Sequence, residues 1–374
     1  MAKRANGEGT IRKRPDGLWE ARYTIDYKTK SVYGKTQEEV IKKRGKILSE
    51  IQNGVYVDGT VTVGAWLDTW LNDYKKGNIK QKTFQGYEIE VRCHLRPAFE
   101  KIKLKDLSAD HVQRLINEKA KKGMSASSIR HMRTTLHNAL QQAMKNGLVV
   151  RNVAQAVRVS EQQGKKERRL LTPQEQQAII QAIEGERKGF TVLFAMFTGL
   201  RCGELLGLRW SDVDMDMNTI AVKQTVQRLY GDDGKTHLMI NTPKTKTSNR
   251  TIPLLPEIAA KLKTHRAAQT QERSLAGQLW EDNDLIFCTE FGKPYDPRNL
   301  QTFLDRVTNK SGIPHVNIHA LRHAFATRAL ERGISLKVVS EMLGHSGIQI
   351  TADIYSHVSL EHMESEIQKM RGII

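Results

Sequence analysis

The most regular apolar pattern in the sequence lies between residues 60 and 160. Apolar and aromatic residues from Val63 to Tyr74 recur at spacings of three and four, which places them on one face of a helix. Ser108 precedes a second such stripe, and Ser127 precedes a third that continues to Met144. Serine is a favoured residue at the N-terminal cap of a helix. The pattern therefore predicts an all-helical segment with its apolar faces in a common core.

A different pattern, the alternation typical of a β-strand, lies nearer the N-terminus. Residues 18–25 alternate and are rich in aromatic and β-branched types. The turn tripeptide Pro15-Asp16-Gly17 separates them from a candidate strand at 10–14, and a third strand is expected at 31–36. These residues are expected to form a small three-stranded sheet.

Two helix starts mark further elements. Thr36 lies three residues before Glu39, which is the spacing of a capping box and predicts a helix ending at Asn53-Gly54. Thr172, Pro173 and Glu175 combine an N-cap, a proline at the first helical position and a capping-box glutamate. The segment just before them, residues 162–169, has no apolar residue and is expected to be a linker.

These elements predict an α+β fold that is mainly helical and has three domains. The expected domains are residues 1–59, a small sheet with a helix; residues 60–164, a helical bundle; and residues 165–374, a mixed α/β domain. The length of 374 residues is consistent with several domains, because single cores stop growing near about 250–300 residues.

The charge narrows the class of partner. The chain carries 59 Lys and Arg against 41 Asp and Glu, a net charge of +18, and residues 60–165 alone contribute +10. Such an excess favours an anionic partner, with nucleic acid as the first candidate, although charge alone does not choose among DNA, RNA and acidic membrane. The apolar runs are too short to span a bilayer, the N-terminus has no secretory pattern, and the three cysteines form no CxxC pair.

The basic residues suggest two DNA-contacting surfaces. One set lies on the predicted sheet, where it could enter a DNA groove or form a merely solvated basic face: Arg12, Lys13, Arg14 and Arg22. The other set, Arg130 and Arg133, lies off the apolar stripe of the third predicted helix, where phosphate contacts are expected.

Five short motifs in the last two hundred residues contain the candidate chemistry. In chain order they are Thr-Gly-Leu-Arg-Cys-Gly-Glu-Leu at 198–205, a predicted hairpin at 241–254 with Lys244 and Lys246 at its tip, His-Ala-Leu-Arg-His at 319–323, Leu-Gly-His at 343–345 and Thr-Ala-Asp-Ile-Tyr at 351–355. Arg201 stands at the turn after a buried apolar helix, and His319 and Arg322 share one face of a predicted helix. An arginine can bind a phosphate through two parallel hydrogen bonds.

Taken together and in this order, the five motifs resemble the tyrosine recombinase (phage integrase) family, and the branch of phage and conjugative-transposon integrases fits best. The resemblance extends over essentially the whole chain. It implies that residues 1–59 form an arm-type DNA-binding domain, that residues 60–164 form a core-binding domain and that residues 165–374 form the catalytic domain with a C-terminal tail helix. The implied catalytic residues are Arg201, Lys244, His319, Arg322, His345 and Tyr355, with Glu204 in support.

The residue chemistry is consistent with this assignment. Two guanidiniums can stabilise the charge that grows on a phosphodiester as it is attacked. Tyr355 would attack as the nucleophile, with His319 accepting its proton. A lysine would protonate the leaving 5′-oxygen; Lys244 is favoured, and Lys246 remains the alternative. His345 would donate to a non-bridging oxygen, while Glu204 would orient Arg201 or a histidine.

The resemblance also implies the partners and the reaction. The product is expected to be a 3′-phosphotyrosine, and strand exchange is expected to pass through a Holliday junction between double-stranded attachment sites, with arm sites bound separately. A homotetramer on DNA, an excisionase and a host DNA-bending protein are implied, in the cytoplasm of a bacterial host and without a membrane. No cofactor or metal is expected, because the sequence has no carboxylate cluster suited to Mg²⁺.

Two other functions remain open at this point. A type IB topoisomerase uses similar arginine, lysine, histidine and tyrosine chemistry, but the separate arm-like segment argues against it. A DNA-binding regulator without chemistry would not require Tyr355 together with Arg201 and Arg322.

Overall fold

The computed structural model describes residues 10–25, 28–52, 59–160, 169–231, 233–241, 249–345 and 347–352. The chain divides into two compact units, Met1–Lys165 and Lys166–Ile374. Each unit has its own cluster of buried apolar side chains. The further division of the first unit at residue 59 stays a prediction.

The first unit begins with an antiparallel sheet in the order β1-β2-β3. Its strands are β1 (Ile11–Lys13), β2 (Trp19–Ile25) and β3 (Lys28–Gly34), and α1 (Gln37–Gln52) packs against it. The predicted turn joins β1 to β2: Gly17 adopts a φ of +82°, and Asp16 Oδ1 accepts a hydrogen bond of 3.1 Å from the Leu18 amide. Ala21 and Val40 are fully buried between sheet and helix.

The predicted start of α1 is confirmed. The Glu39 amide donates to Thr36 Oγ1 at 3.2 Å, and the Glu39 carboxylate accepts from the Lys35 amide at 2.8 Å. The reciprocal bond therefore reaches one residue further back than in a standard capping box. The predicted end of the helix at Asn53-Gly54 lies outside the described residues.

The rest of the first unit is helical. Its helices are α2 (Val63–Thr69), α3 (Gln81–Glu90), α4 (Arg96–Phe99), α5 (Ala109–Lys121) and α6 (Ala126–Lys145). The predicted aromatic stripe forms the core, with Trp66 and Trp70 buried, although the chain changes to π-helical geometry over Trp70–Lys75. Ser108 caps α5 as predicted by accepting from the His111 amide.

The prediction that Ser127 opens the third helix of this segment is wrong by two residues. Ser125 is the N-cap of α6, because its backbone is extended and its side chain accepts from the Ser128 amide at 3.1 Å. Gly123, with a φ of +80°, turns the chain away from α5 early enough for Ser125 to take that place. Ser127 lies inside the first turn.

The second unit opens with α7 (Pro173–Ala182), α8 (Gly189–Thr198) and α9 (Cys202–Leu206). The predicted capping box of α7 is present, with Thr172 as the N-cap. Five strands follow: β4 (Val213–Asp214), β5 (Thr219–Val222), β6 (Thr225–Tyr230), β7 (Thr236–Asn241) and β8 (Arg250–Pro253). They form an antiparallel sheet in the order β4-β5-β8 and a separate β6-β7 hairpin.

This strand order corrects the prediction of a single hairpin at 241–254. β7 pairs with β6, and β8 pairs with β5, so the residues between Asn241 and Arg250 connect two different sheets. The register places Ile252 opposite Ile220, and both side chains are fully buried. Burial of this apolar pair stabilises the β5-β8 pairing.

The second unit ends with five further helices: α10 (Pro256–Ala276), α11 (Pro297–Lys310), α12 (Ile318–Glu331), α13 (Leu336–Leu343) and α14 (Ile348–Ala352). Helix α8 is apolar on most of its surface and lies at the centre of the core, where it contacts α9, α10 and α12. Its C-terminus is thereby fixed close to α12. Among the described residues, no helix combines the length and apolarity needed to cross a membrane.

Candidate active site

The site begins at the sharp turn between α8 and α9. Gly199 ends α8 in a left-handed conformation, with a φ of +62°. A Cβ at this position would lie 2.4 Å from the Phe325 ring, so there is no space for a side chain. Residues other than glycine also rarely adopt this left-handed backbone conformation. The turn leaves Arg201 extended at the N-cap of α9, with its side chain 40% exposed.

Glu204 holds Arg201 from within the first turn of α9. Its Oε1 accepts from Arg201 Nη1 at 2.8 Å, and its Oε2 accepts from the Arg201 backbone amide at 3.2 Å. A second arginine, Arg250, donates from Nη2 to Glu204 Oε2 at 2.9 Å. Burial raises the pKa of Glu204, but the bonds and charges of Arg250 and Arg201 outweigh it, so the pKa lies below its ordinary value.

Arg322 is buried between the ends of two helices. Its side chain donates from Nη1 to the Gly199 carbonyl and from Nη2 to the Leu343 carbonyl, each at 2.8 Å. These carbonyls belong to the C-termini of α8 and α13, where the helix dipole favours positive charge. Burial and then the charge of Arg201 lower the pKa of Arg322 to about 9, so the guanidinium keeps its proton at neutral pH.

Three consecutive carbonyls at the end of α13 each accept from a different arginine. Besides the Leu343 carbonyl, the Met342 carbonyl accepts from Arg250 Nε at 2.6 Å and the Gly344 carbonyl accepts from Arg201 Nη2 at 3.0 Å. Gly344 adopts a φ of +65°, and a Cβ there would lie 2.8 Å from Arg250 Nη1. We call Arg201, Glu204, Arg250 and Arg322 the arginine cluster; it gathers three positive charges around one carboxylate.

His345 follows this turn directly. Its Nδ1 lies 2.7 Å from Thr351 Oγ1, and Thr351 is fully buried in α14. The pKa of His345 is lowered to about 4. Burial of the ring is the largest cause, and the charges of Arg322 and Arg201 follow. The ring is therefore neutral at physiological pH, and it can donate one N–H to a ligand when Thr351 donates to Nδ1.

The two histidines of α12 are placed differently from each other. Their rings meet edge to face with centroids 4.6 Å apart. His319 is exposed at the N-terminal end of the helix, whereas His323 is half-buried and its charge contributes to the lowered pKa of His345. The structure thus brings Arg201, Glu204, Arg322 and His345 together, and it gives His319 the His323 ring as a neighbour.

Three predicted site residues, Lys244, Lys246 and Tyr355, lie outside the described residues. Their positions follow β7 and α14, whose last described residues are Asn241 and Ala352. Their roles stay predictions.

Arg250 was not among the residues predicted from the sequence. Its β-strand alternates, with Arg250 on the same face as the buried Ile252. A charged residue at an inward-facing position of a strand is the signal that could have revealed it, since a buried charge requires a partner. The partner, Glu204, lies 46 residues away in the sequence, and only the fold brings the two together.

The predicted DNA-contacting arginines of the sheet are mostly ion-paired. Arg12 and Arg22 donate to the two oxygens of buried Glu20 at 2.6 and 3.2 Å, and Ser31 donates to it at 2.7 Å. The bond from Ser31 and then that from Arg12 lower the pKa of Glu20 to about 2. Arg14 Nη2 lies 3.4 Å from Asp16 Oδ2.

The remaining basic candidates differ in exposure. Lys13 and Arg130 are exposed. Arg133 is half-buried and donates from Nε to the Ala154 carbonyl at 3.1 Å, which ties α6 to the turn at Val153–Gln155. Within the part of the chain that the structure describes, no group of three or more His, Cys, Asp or Glu side chains is suited to hold a metal ion.

The comparisons with known proteins agree with this geometry. Residues 169–362 match the Phage integrase family, and residues 62–120 match the family described as Phage integrase, N-terminal SAM-like domain. A tyrosine recombinase XerC-like protein of Caldanaerobacter subterraneus subsp. tengcongensis is 32% identical over 358 residues, which cover 92% of this chain and 92% of the relative.

Two solved structures show the same fold. The Tn1549 transposon integrase, solved in complex with a circular intermediate DNA, has a TM-score of 0.70 at 21% identity and covers 83% of this chain and 100% of its own. A lambda integrase tetramer bound to a Holliday junction has a TM-score of 0.57 at 20% identity, with 94% of this chain and 96% of its own covered.

The match to the Phage integrase family over residues 169–362, which contain the arginine cluster, and the relative at 32% identity define an enzyme of DNA strand breakage and rejoining. The chain belongs to the phage integrase family of tyrosine recombinases. Its reaction is site-specific DNA recombination, and the predicted family, fold class and enzyme class are confirmed.

Proposed function

We propose that this recombinase is the integrase of a phage or other mobile element and that it inserts and excises that element at attachment sites in double-stranded DNA. The observation that carries the proposal is the arginine cluster. In the part of the chain that the structure describes, Arg322 donates to neutral backbone carbonyls, and Arg201 shares Glu204 with Arg250, so positive charge remains for a phosphate.

The cluster is suited to the transition state of phosphoryl transfer. Negative charge grows on the non-bridging oxygens as the attacking oxygen approaches. Donors that are fixed before the reaction stabilise this charge without reorganising, which is the largest single contribution in many enzymes. Arg322 has a pKa lowered to about 9 by burial and by its charged neighbour, so an arriving phosphate relieves an unfavourable charge that the free site already contains.

Covalent catalysis is assigned to Tyr355. The phenol oxygen attacks the scissile phosphorus, the bond to the 5′-oxygen breaks, and a 3′-phosphotyrosine forms. His319 accepts the phenol proton, and Lys244, or alternatively Lys246, protonates the leaving 5′-oxygen. The reverse reaction with a second strand produces a Holliday junction without ATP, because the phosphotyrosine retains the bond energy.

His345 acts as a neutral donor. Its burial, and then the positive charges of Arg322 and Arg201, keep the ring neutral. Thr351 Oγ1 lies 2.7 Å from Nδ1; in the proposed tautomer the hydroxyl donates to Nδ1, and Nε2–H donates a hydrogen bond to a non-bridging oxygen of the phosphate. The buried hydroxyl of Thr351 therefore selects the tautomer, in the way that second partners select the tautomer of other functional histidines.

DNA is bound outside the catalytic site by two further surfaces. The arm-type domain, residues 1–59, presents Arg12, Lys13, Arg14 and Arg22 to arm sites, and the core-binding domain presents Arg130 and Arg133 to phosphates at the strand-exchange site. The net charge of +10 over residues 60–165 supports the second assignment, because phosphate contacts release counterions.

Assembly completes the proposal. A homotetramer brings together two duplexes, and the tail after Tyr355 contributes to this assembly. A lambda integrase of the same fold is a tetramer bound to a Holliday junction, which supports this part of the proposal. An excisionase and a host DNA-bending protein set direction, and the enzyme works on the DNA of a bacterial cytoplasm.

The decisive experiment traps the covalent intermediate. The protein is incubated with duplexes that carry the junctions between its element and the host DNA, and products are separated on denaturing gels. We expect a protein–DNA adduct from the natural protein and none from Tyr355→Phe, which removes one oxygen and leaves DNA binding intact.

The control is Tyr230→Phe, which changes an exposed tyrosine on β6 in the same unit. It should form the adduct at the natural rate. An adduct from Tyr355→Phe would refute the nucleophile, and relaxation of any supercoiled plasmid without site-specific joining would favour a topoisomerase.

A further inference from the structure

Arg250 occupies an unusual position for a charged residue. It is the first residue of β8, it faces the same side as buried Ile252, and its side chain is only 8% exposed. Burial of an arginine is costly unless the guanidinium is fully hydrogen-bonded, so its partners must be fixed as well.

Those partners come from two different parts of the catalytic unit. Arg250 Nη2 donates to Glu204 on α9 at 2.9 Å, and Arg250 Nε donates to the Met342 carbonyl at the end of α13 at 2.6 Å. Glu204 in turn accepts from Arg201 through both carboxylate oxygens. The guanidinium of Arg250 thereby determines where the carboxylate that holds Arg201 can lie.

A second anchor, at the end of α13, holds the other terminal nitrogen of Arg201. Its Nη2 donates to the Gly344 carbonyl, two residues beyond the carbonyl that Arg250 holds. Arg201 is 40% exposed, so without these two anchors its long side chain would sample many rotamers. Arg250 is linked to both anchors.

We propose that Arg250 is a positioning residue for strand cleavage, which acts through Glu204 to hold the guanidinium of Arg201 against the scissile phosphate. The proposal rests on the proposed function, because it assigns Arg250 a part in that reaction. It predicts that loss of Arg250 slows cleavage mainly when the scissile phosphate carries the negative charge that Arg201 binds.

The experiment compares two DNA substrates in single-turnover cleavage. One is the natural duplex, and the other carries a neutral methylphosphonate at the scissile position, where there is less negative charge for Arg201 to stabilise. We expect Arg250→Met to slow cleavage of the phosphodiester about tenfold to a hundredfold, as for the loss of a charged hydrogen bond. Cleavage of the methylphosphonate should change far less, as with Arg201→Met.

A double-mutant cycle tests the route through Glu204. If Arg250 acts through that carboxylate, Arg250→Met together with Glu204→Gln should be no slower than the slower single variant. Additive losses would indicate that Arg250 acts independently of Glu204, and the proposal would be overturned.

The matched control is Arg228→Met. Arg228 lies on β6, bonds to Asp296 and to Thr236 Oγ1 at 2.6 Å, and has no described contact with Glu204. It should slow cleavage of both substrates by the same small factor. An equal loss on both substrates from Arg250→Met would show a merely structural role, and no loss on either would show no role; both results overturn the proposal.

If Arg250→Met does not fold, as judged by thermal unfolding, Arg250→Lys is measured on the same two substrates. Lysine keeps the charge but cannot bridge Glu204 and the Met342 carbonyl with one rigid guanidinium. We therefore expect a smaller loss of cleavage rate that is again greater on the phosphodiester than on the methylphosphonate. Failure of the natural protein to form any adduct would instead overturn the proposed function, which separates the two results.

Discussion

Among the described residues, two buried glutamates each bind two arginines, one in each unit. Glu20 in the N-terminal sheet accepts from Arg12 and Arg22, whose side chains are 57% and 40% exposed. Glu204 in the second unit accepts from Arg201 and from Arg250, which is only 8% exposed. The two sets have the same composition but different surroundings.

The surroundings determine what the charge can do. At Glu204 the arginines also bind backbone carbonyls, and the described hydrogen-bond partners of a third guanidinium, Arg322, are carbonyls as well. Neutral partners fix a guanidinium without cancelling its charge, so the arginine cluster keeps an excess of positive charge, which the proposed function assigns to binding a phosphate. At Glu20 the arginines face water, where ion pairs contribute little and salt screens them.

The largest effect is expected from Arg322→Lys. A lysine in this place cannot satisfy the Gly199 and Leu343 carbonyls together, and an ammonium lacks the planar fork that holds a phosphate. Cleavage in the adduct assay should be nearly abolished, and the free energy of unfolding should fall by about 1.5–3 kcal/mol, as for the loss of a hydrogen bond to a charged group. Cleavage near the natural rate would show that a fixed point charge is sufficient.

Parallel substitution of the two glutamates tests the comparison directly. Glu204→Gln keeps the shape but weakens two charged hydrogen bonds, so cleavage should slow about tenfold or more and the free energy of unfolding should fall. Glu20→Gln should leave cleavage unchanged and should lower stability much less, because its arginines are exposed to solvent. Urea unfolding measures the stability of the two variants, and the adduct assay measures their cleavage. Equal effects of the two substitutions would show that the two glutamates do not differ in role.

The smallest effect concerns pH. His345 has a pKa of about 4 in the folded protein against an ordinary value of 6.5, since burial and the arginines disfavour its charged form. Between pH 4 and pH 6.5 the unfolded chain therefore binds more protons at His345 than the folded protein does. The free energy of unfolding is unaffected by this group above pH 6.5, and it falls as the pH is lowered from 6.5 towards 4.

Urea unfolding at neutral pH and at about pH 5 should show a larger loss of stability for the natural protein than for His345→Gln. The variant keeps a polar group beside Thr351 but has no group that titrates. An identical loss in both proteins would mean that burial and the arginine cluster do not lower the pKa of this histidine.

Local signals in the sequence predicted many of the elements. The caps at Thr36, Ser108 and Thr172 and the turn at Gly17 are present, because each depends on side chains within a few residues of the backbone groups they satisfy. The capping residue of α6 was misplaced since Ser125 and Ser127 are chemically equivalent, and only the path of the chain after Gly123 distinguishes them.

The sequence also indicated Arg201, Glu204, Arg322 and His345 through their motifs, and it determined the family. It could not indicate which groups hold these side chains. The pairing of β8 with β5 instead of β7 was decided by burial of Ile252 against Ile220, which are 32 residues apart, and the same pairing brings Arg250 to Glu204. The three carbonyls at the end of α13 leave no mark in the sequence, because every residue has a carbonyl. Long-range packing alone decided which of them would face the arginines, and it thereby determined where the positive charge of the site lies.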